Sequence, residues 1–288
     1  MLVAILGIAI FIYPTAAAWI SNVKHNTEVD GYVDSVDSLP TAESKKLLAA
    51  AREYNRELPA GPLRDPYALG ENGQQTAVDG GSDLYFKTLS PPGSDTMARI
   101  RIPAIDVDLP VYHGTSEATL ARGIGHLYGS SLPVGGVGTH SVLTGHSGFV
   151  KATLFDHIDS LKLTDTIVIS VLGEDLYYEV DKIQTVLPNE TDALRQVEGK
   201  DYLSLVTCTP TGVNTHRLLV RAKRVDAPAE TKAGETVIAD SSTAPPFPWW
   251  MLSLVGVPVV MYLLVRPKRI TDGDDSEATT PPAEEATT

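Results

Sequence analysis

The chain has 288 residues, of which 43% are hydrophobic and 20% charged, and its formal net charge at pH 7 is −13. This composition excludes a wholly disordered protein, and the acidic balance argues against a nucleic-acid-binding protein, which needs a basic surface to neutralise phosphates. The single cysteine excludes both an internal disulfide and a multi-cysteine metal site. A chain of this length predicts one main domain with appendages.

The chain begins with an apolar segment. Residues Leu2–Ile20 carry no charge, the first charged residue being Lys24, and about 20 apolar residues suffice to cross the hydrocarbon core of a membrane. A cleaved signal peptide is the alternative, because Thr15–Ala18 offers the small residues found at cleavage sites. The apolar run continues past these alanines into Trp19, which favours an uncleaved transmembrane anchor over residues 1–22.

Residues 23–96 are predicted to form an extracytoplasmic region of helix and loop. Helical signals extend over residues 27–58, where Leu39-Pro40-Thr41-Ala42-Glu43 is typical of a helix start. Residues 59–83 are rich in Gly, Asp and Pro and predict a loop. Within that loop, Asp65-Pro66-Tyr67 is compatible with an ordinary turn, since Asp-Pro opens turns readily.

From Met97 the pattern changes to that of β-structure, and residues 97–226 are predicted to form the main domain. The strand candidates are β-branched runs bounded by turn residues, namely the stretch from Ile100 to Val107, Thr166–Leu172, Leu176–Leu187, Tyr202–Thr207 and Arg217–Val225. Many short strands with few long helices predict a mainly β fold, a closed or nearly closed β-barrel.

A second apolar segment follows the main domain. Residues 227–248 are polar and Pro-rich and predict a linker, after which residues 249–265 predict a C-terminal transmembrane helix. A buried core helix is the alternative, but Trp249-Trp250 at one end and the basic cluster Arg266–Arg269 at the other favour a membrane span. The basic cluster places the C-terminus in the cytoplasm by the positive-inside rule. Residues 266–288 predict a disordered, acidic cytoplasmic tail.

One local sequence carries the only thiol. Leu205–Pro210 reads as a strand that ends at Cys208, and a second strand begins near Arg217 after a loop containing Gly212. Two adjacent antiparallel strands joined by that loop would bring Arg217 beside Cys208. A guanidinium at that place favours the thiolate and can donate hydrogen bonds to an oxyanion. Taken alone, a cysteine at a strand end is more often a buried and inert residue.

Cysteine chemistry also needs a proton carrier, and histidine is the usual one. A second local sequence, Thr139–Gly148, contains both His140 and His146, each close to the end of a short apolar strand. His126 and His216 also lie in polar surroundings. The spacing of these histidines does not by itself choose between them.

Together these motifs resemble a known family. The strand ending in Thr207-Cys208, the TPTGVNTHRLLVR loop and strand, and the TGHSG turn are similar to those of the sortases, the surface transpeptidases of Gram-positive bacteria. Residues Ile124–Gly136 and Tyr178-Glu179-Val180-Asp181 resemble the pilin-polymerising subgroup, class C. That subgroup also carries two membrane spans and an N-terminal lid, and Asp65-Pro66-Tyr67 fits its lid motif. The resemblance covers nearly all of residues 1–270.

The resemblance implies a role for each matching residue. Cys208 would be the nucleophile that attacks the threonine carbonyl of an LPXTG-like sorting signal and cleaves it between Thr and Gly. His146 would be the general acid/base, and Arg217 would hold the substrate and the oxyanion. Thr207 would help to position the substrate. The family uses no redox or organic cofactor, and no carboxylate cluster in the sequence demands a metal.

The resemblance also implies how the lid acts. Asp65 would reach Arg217 while Tyr67 covers Cys208, and Pro66 between them would stiffen the backbone. The chain departs from the subgroup at two positions. Thr211 stands where tyrosine is common, and Tyr67 stands where phenylalanine or tryptophan is more usual.

The resulting expectation is a class C sortase with two membrane spans and an extracytoplasmic catalytic domain in residues 21–248. Its partners would be the sorting signals of pilins or surface proteins, the lysine amine of a pilin subunit and the membrane, with no nucleic acid. One alternative is a sortase that anchors surface proteins to a peptidoglycan precursor. The other, from a different class, is a catalytically idle, membrane-tethered assembly module, against which the intact Cys208, His146 and Arg217 argue.

Overall fold

The computed structural model describes residues 2–59, 63–67, 83–149, 152–227 and 247–265. The chain divides into two compact units, Tyr13–Pro248 and, separately, Met1–Ile12 with Trp249–Thr288. Most of the predicted linker, all of the predicted acidic tail, and residues 60–62 and 68–82 of the predicted loop lie outside the described residues.

The helices account for most of the predicted N-terminal region. They are α1 (Leu2–Asp37), α2 (Thr41–Glu57), α3 (Asp83–Lys87), α4 (Glu117–Leu120) and α5 (Trp250–Val265). The helical signals over residues 27–58 are therefore the end of one long helix and the whole of a second, which begins directly after Pro40. In the described part of the chain, no helix combines the length and the hydropathy that crossing a membrane requires.

Apart from three short 3-10 helices, the remaining regular structure in the described residues is β, as the sequence predicts. The strands are β1 (Thr96–Ile102), β2 (Val107–His113), β3 (Ile124–His126), β4 (Thr139–Thr144), β5 (Thr166–Val171), β6 (Glu174–Val186), β7 (Asp201–Thr209) and β8 (His216–Val225). They form a closed barrel in the order β1-β2-β3-β4-β7-β8-β6-β5. The β2–β3 and β4–β7 pairs are parallel and the others antiparallel.

One predicted strand boundary is misplaced. The sequence suggests a break at Gly173-Glu174-Asp175, whereas β6 already begins at Glu174. The turn consists of Leu172 and Gly173, both with positive φ (46° and 88°), and such a two-residue turn matches the twist of the flanking strands. The charged residues after the glycine therefore belong to the strand.

Alternation along β7 separates two buried clusters. Leu203 and Leu205 belong to the large cluster that fills the barrel, whereas Val206 and Cys208 belong to a smaller cluster on the opposite face of the strand. The smaller cluster also includes Tyr67 from the segment that precedes the barrel. The thiol therefore lies outside the barrel interior, under a segment from elsewhere in the chain.

Candidate active site

Cys208 and Arg217 face each other across the hairpin of β7 and β8. The register pairs Cys208 directly with Arg217 and Thr209 with His216. The connecting loop is closed by hydrogen bonds to the Pro210 carbonyl oxygen, from the amides of Val213 (3.0 Å) and Asn214 (2.9 Å). The adjacency expected from the two strands and their loop is therefore present.

The Arg217 guanidinium is engaged on two sides. Its Nε and Nη2 donate to the two carboxylate oxygens of Asp65, at 2.9 and 2.7 Å, and both side chains are 9% exposed. Its Nη1 donates to the carbonyl oxygens of Asn214 (3.0 Å) and His216 (3.1 Å). A bidentate pair of this kind fixes the plane of the guanidinium as well as its position.

Tyr67 packs against the residues around Cys208 and Arg217. Its hydroxyl donates to the Gly145 carbonyl oxygen at 2.6 Å, and its ring lies 5.1 Å from the Arg217 guanidinium carbon. The ring centroid is 5.7 Å from that of His146, and the side chain packs in the same small cluster as Cys208. Asp65 and Tyr67, two of the three residues of the predicted lid, thus contact or pack beside all three residues that the resemblance implies for catalysis.

His146 lies two residues after the end of β4. The residue before it, Gly145, has no space for a side chain. A Cβ on Gly145 would approach Ile124 Cδ1 to 2.7 Å and Phe155 Cδ2 to 2.8 Å. The His146 ring is half-buried and stacks on Phe149, with 5.3 Å between the ring centroids. Burial lowers the pKa of His146 below its usual value, and the carboxylates of Glu117 and Asp156 oppose that shift.

Cys208 is 9% exposed, and burial raises the pKa of its thiol to about 11. Arg217 lowers this pKa, as the sequence argument expects, whereas Asp65 raises it. Burial outweighs the guanidinium, so the thiol is protonated at neutral pH in this arrangement. The expectation that Arg217 favours the thiolate is right in sign but does not decide the protonation state while the site is covered.

Thr207 points to the other face of β7, where it supports the turn that carries His146. Its hydroxyl donates to the Gly145 carbonyl oxygen at 2.7 Å, and the Gly145 amide donates to the Val206 carbonyl oxygen at 3.2 Å. Thr207 is 2% exposed. Its contacts are thus with the turn before His146.

The other histidines have separate partners. His140 contacts the Arg195 carbonyl oxygen and the Ser204 hydroxyl, each at 2.8 Å. His126 lies between the Tyr85 hydroxyl and the Ser131 carbonyl oxygen. These contacts occupy both ring nitrogens of each histidine. His216 contacts the Thr215 hydroxyl through Nδ1 at 2.9 Å, next to Arg217 in the chain.

Two contacts around His146 were not predicted. Ser147 and Thr211 share a hydrogen bond at 2.9 Å, which joins the loop after β4 to the β7–β8 loop. Asp156 accepts hydrogen bonds from two backbone amides of the loop after β4. The sequence offers only one signal for these contacts, namely that the polar residues involved lie in or beside loops that contain glycine. Among the described residues, no three His, Cys, Asp or Glu side chains are grouped so as to hold a metal ion.

Comparison with known proteins places the chain in a family. Residues 100–225 match the model of the sortase domain. The chain is 30% identical over 134 residues to sortase A of Bacillus anthracis, a match covering 46% of this chain and 62% of that protein. The chain thus spans less than two thirds of that relative's length.

Solved structures match at higher identity. The chain resembles sortase C-1 from Actinomyces oris with 46% identity and a TM-score of 0.59, over 65% of this chain and 99% of that one. It resembles Streptococcus pneumoniae sortase C, whose structure is described as informative on catalysis and pilin substrate specificity. That match has 38% identity and a TM-score of 0.60, over 68% of this chain and 95% of that one.

Proposed function

The chain belongs to the sortase family, and on that premise we propose that it is a class C sortase, a cysteine transpeptidase that joins pilin subunits. The observation that carries this proposal is the arrangement of the lid residues. Asp65 forms a bidentate ion pair with Arg217, while Tyr67 packs beside Cys208 and His146. The likeness to sortase C structures, one of them described for its pilin substrate specificity, supports the same subgroup.

The first half of the reaction forms a thioester. After the lid residues leave, Cys208 gives its proton to His146, and the thiolate attacks the threonine carbonyl carbon of an LPXTG-like signal. The carbonyl oxygen becomes an oxyanion, to which the Arg217 guanidinium donates. The tetrahedral intermediate then collapses, the Thr–Gly bond breaks, and His146 returns the proton to the departing glycine amine.

The second half transfers the acyl group. A pilin lysine amine attacks the thioester carbonyl carbon, and His146 accepts the proton that this amine loses. The carbon–sulfur bond breaks, Cys208 leaves as a thiolate, and an isopeptide bond joins the two proteins. Thr207 contributes by holding the turn before His146 through the Gly145 carbonyl oxygen. No step needs a cofactor.

We also propose that the enzyme is held in the cell membrane by its two apolar segments, with the catalytic domain outside. The support is in the sequence, where Trp249-Trp250 and the basic cluster Arg266–Arg269 flank the second segment. Tethering at both ends would keep Cys208 close to substrates that emerge at the membrane surface.

The test of the reaction uses Cys208→Ala, His146→Ala and Arg217→Ala with an LPXTG-type peptide and a lysine-containing pilin fragment. Cys208→Ala should form no covalent acyl-enzyme and no product, as measured by mass spectrometry. The other two variants should each lose roughly 10²-fold or more in rate, because proton transfer or oxyanion stabilisation is lost.

The matched control is His140→Ala, because His140 is buried but bound to Arg195 and Ser204, away from the site. It should lose less activity than His146→Ala. Cleavage by Cys208→Ala would refute the assignment, and equal losses in the two histidine variants would reopen the choice of general base. Transfer to a peptidoglycan-precursor amine in preference to the pilin lysine would instead indicate an anchoring sortase.

A further inference from the structure

Asp156 closes the loop that follows His146. One carboxylate oxygen accepts a hydrogen bond from the Gly148 amide and the other from the Leu154 amide, both at 2.8 Å. Gly148 has a φ of 73° and lies two residues after His146. The carboxylate thus joins the two ends of this loop, one of which carries the histidine.

The far end of the loop is fixed in the barrel core. The Phe155 side chain is fully buried, and its amide donates to the His146 carbonyl oxygen at 2.9 Å. Asp156 follows Phe155 directly, so the burial of Phe155 fixes the position of the Asp156 backbone. Its carboxylate binds the Gly148 amide, so the chain is held both at His146, by the Phe155 amide, and two residues later.

The charge of Asp156 also acts on the imidazole. Burial lowers the pKa of His146, and Glu117 from α4 and Asp156 from the loop both raise it. Tyr67 is a further titratable group packed against the ring, and burial raises its pKa well above the usual value, so it stays neutral. Glu117 is exposed, and it forms no hydrogen bond with the residues of this loop that the structure describes.

We propose that Asp156 is a positioning residue for the reaction, because its two backbone hydrogen bonds hold the loop that orients the His146 imidazole toward Cys208. This inference rests on the proposed function, in which His146 moves a proton in both halves of the reaction. Hydrogen bonds from amides to a carboxylate are stronger than neutral ones. A general acid/base displaced by about 1 Å can cost roughly 10²-fold in rate.

The experiment compares four variants of the full chain, with kcat and KM measured for transfer of an LPXTG-type peptide. Asp156→Ala should lower kcat by roughly 30- to 100-fold and change KM less than twofold, because the Asp156 carboxylate contacts the loop backbone and no proposed substrate-binding group. Asp156→Asn keeps one acceptor oxygen and should lose less. Asp159→Asn, the matched control, removes the same charge from an exposed residue nearby and should behave as the wild type.

Glu117→Gln separates charge from position. It should lower the pKa of His146 as Asp156→Asn does, yet leave kcat at the optimal pH within twofold of the wild type. The pKa is measured by nuclear magnetic resonance of the imidazole in a Cys208→Ala background, a readout that needs no turnover.

A kcat for Asp156→Ala within twofold of the wild type, or an equal loss in Asp159→Asn, would overturn the inference while leaving the sortase assignment in place. If the wild type itself forms no acyl-enzyme, the proposed function fails. In that case the nuclear magnetic resonance titration of His146 is the remaining test of the positioning role. An unchanged His146 titration and line width in Asp156→Ala would overturn that role.

Discussion

At Cys208, two physical effects oppose each other. Burial under Tyr67 disfavours the thiolate, and the facing Arg217 favours it, with the outcome a pKa of about 11. The carboxylate of Asp65 adds to the effect of burial and at the same time occupies Arg217. One acidic side chain therefore weakens the nucleophile in two ways, and both are reversed when it leaves.

Asp65→Asn tests this reading at the level of one charge. The substitution removes a negative charge from the neighbourhood of the thiol, so the pKa of Cys208 should fall below about 11. The rate of alkylation by a small neutral reagent, followed from pH 7 to pH 11, should therefore begin to rise at a lower pH than in the wild type.

The chain offers a close control for this variant. Arg221 lies in β8 four residues after Arg217, and it forms a bidentate pair with Asp181 at 2.9 and 2.8 Å. Asp181→Asn should leave the alkylation profile of Cys208 in place. If both variants shift the profile equally, or if Asp65→Asn leaves it unchanged, the local effect of Asp65 is refuted.

The segment proposed as a lid contacts the site through interactions of different kinds. Asp65 supplies an ion pair, and Tyr67 supplies a hydrogen bond and ring contacts. The tyrosine at this position, where the related subgroup more often has phenylalanine or tryptophan, gains a bond to the Gly145 carbonyl oxygen. That carbonyl also accepts from Thr207, so the lid is tied to the turn before His146.

Tyr67→Phe removes this hydrogen bond and keeps the ring. A hydrogen bond between neutral groups contributes about 1 kcal/mol net, so the open population of the lid, and with it the alkylation rate of Cys208, should rise roughly fivefold. Tyr202→Phe is the matched control, because the Tyr202 ring lies under Arg221 at 4.2 Å in a similar arrangement. Equal alkylation rates in wild type and Tyr67→Phe would contradict a closing role for the hydroxyl.

The sequence could predict those elements whose signal is local. The period-two runs of β7 and β8 and the short loop between them predict that Arg217 lies opposite Cys208, because a hairpin fixes its own register. The choice of His146 over His140 comes only from the family resemblance, since each of the two residues lies close to an end of the same strand. The Asp156 contacts and the Ser147–Thr211 bond depend on how loops meet in space, which no local pattern contains.

At the scale of the whole molecule, buried histidines make the stability of the fold depend on pH. Burial lowers the pKa values of four of them outside the site, and they are His25, His113, His126 and His140. The effect is largest at His126, whose pKa falls to about 4 because the ring is fully buried between Tyr85 and Ser131. The folded barrel therefore holds these rings neutral under conditions in which an unfolded chain would protonate them.

This predicts loss of stability in mild acid. Because the folded-state pKa of His126 is about 4 and the unfolded value is 6.5, its contribution is complete above pH 6.5. It declines as the pH falls from 6.5 towards 4, where the unfolded chain binds the extra proton. On the order of 3 kcal/mol of the free energy of unfolding should be lost over that range through His126 alone.

Urea denaturation at pH 7 and at pH 4.5 measures this loss, with His126→Gln as the variant. The substitution lowers stability at pH 7 by removing the hydrogen bonds to Tyr85 and Ser131, but it should also shrink the difference between the two pH values by about 2 kcal/mol. His157→Gln, at an exposed position, should keep the wild-type difference. An undiminished difference in His126→Gln would show that other groups carry the acid sensitivity, and that the proton uptake of this buried ring does not control the stability of the barrel.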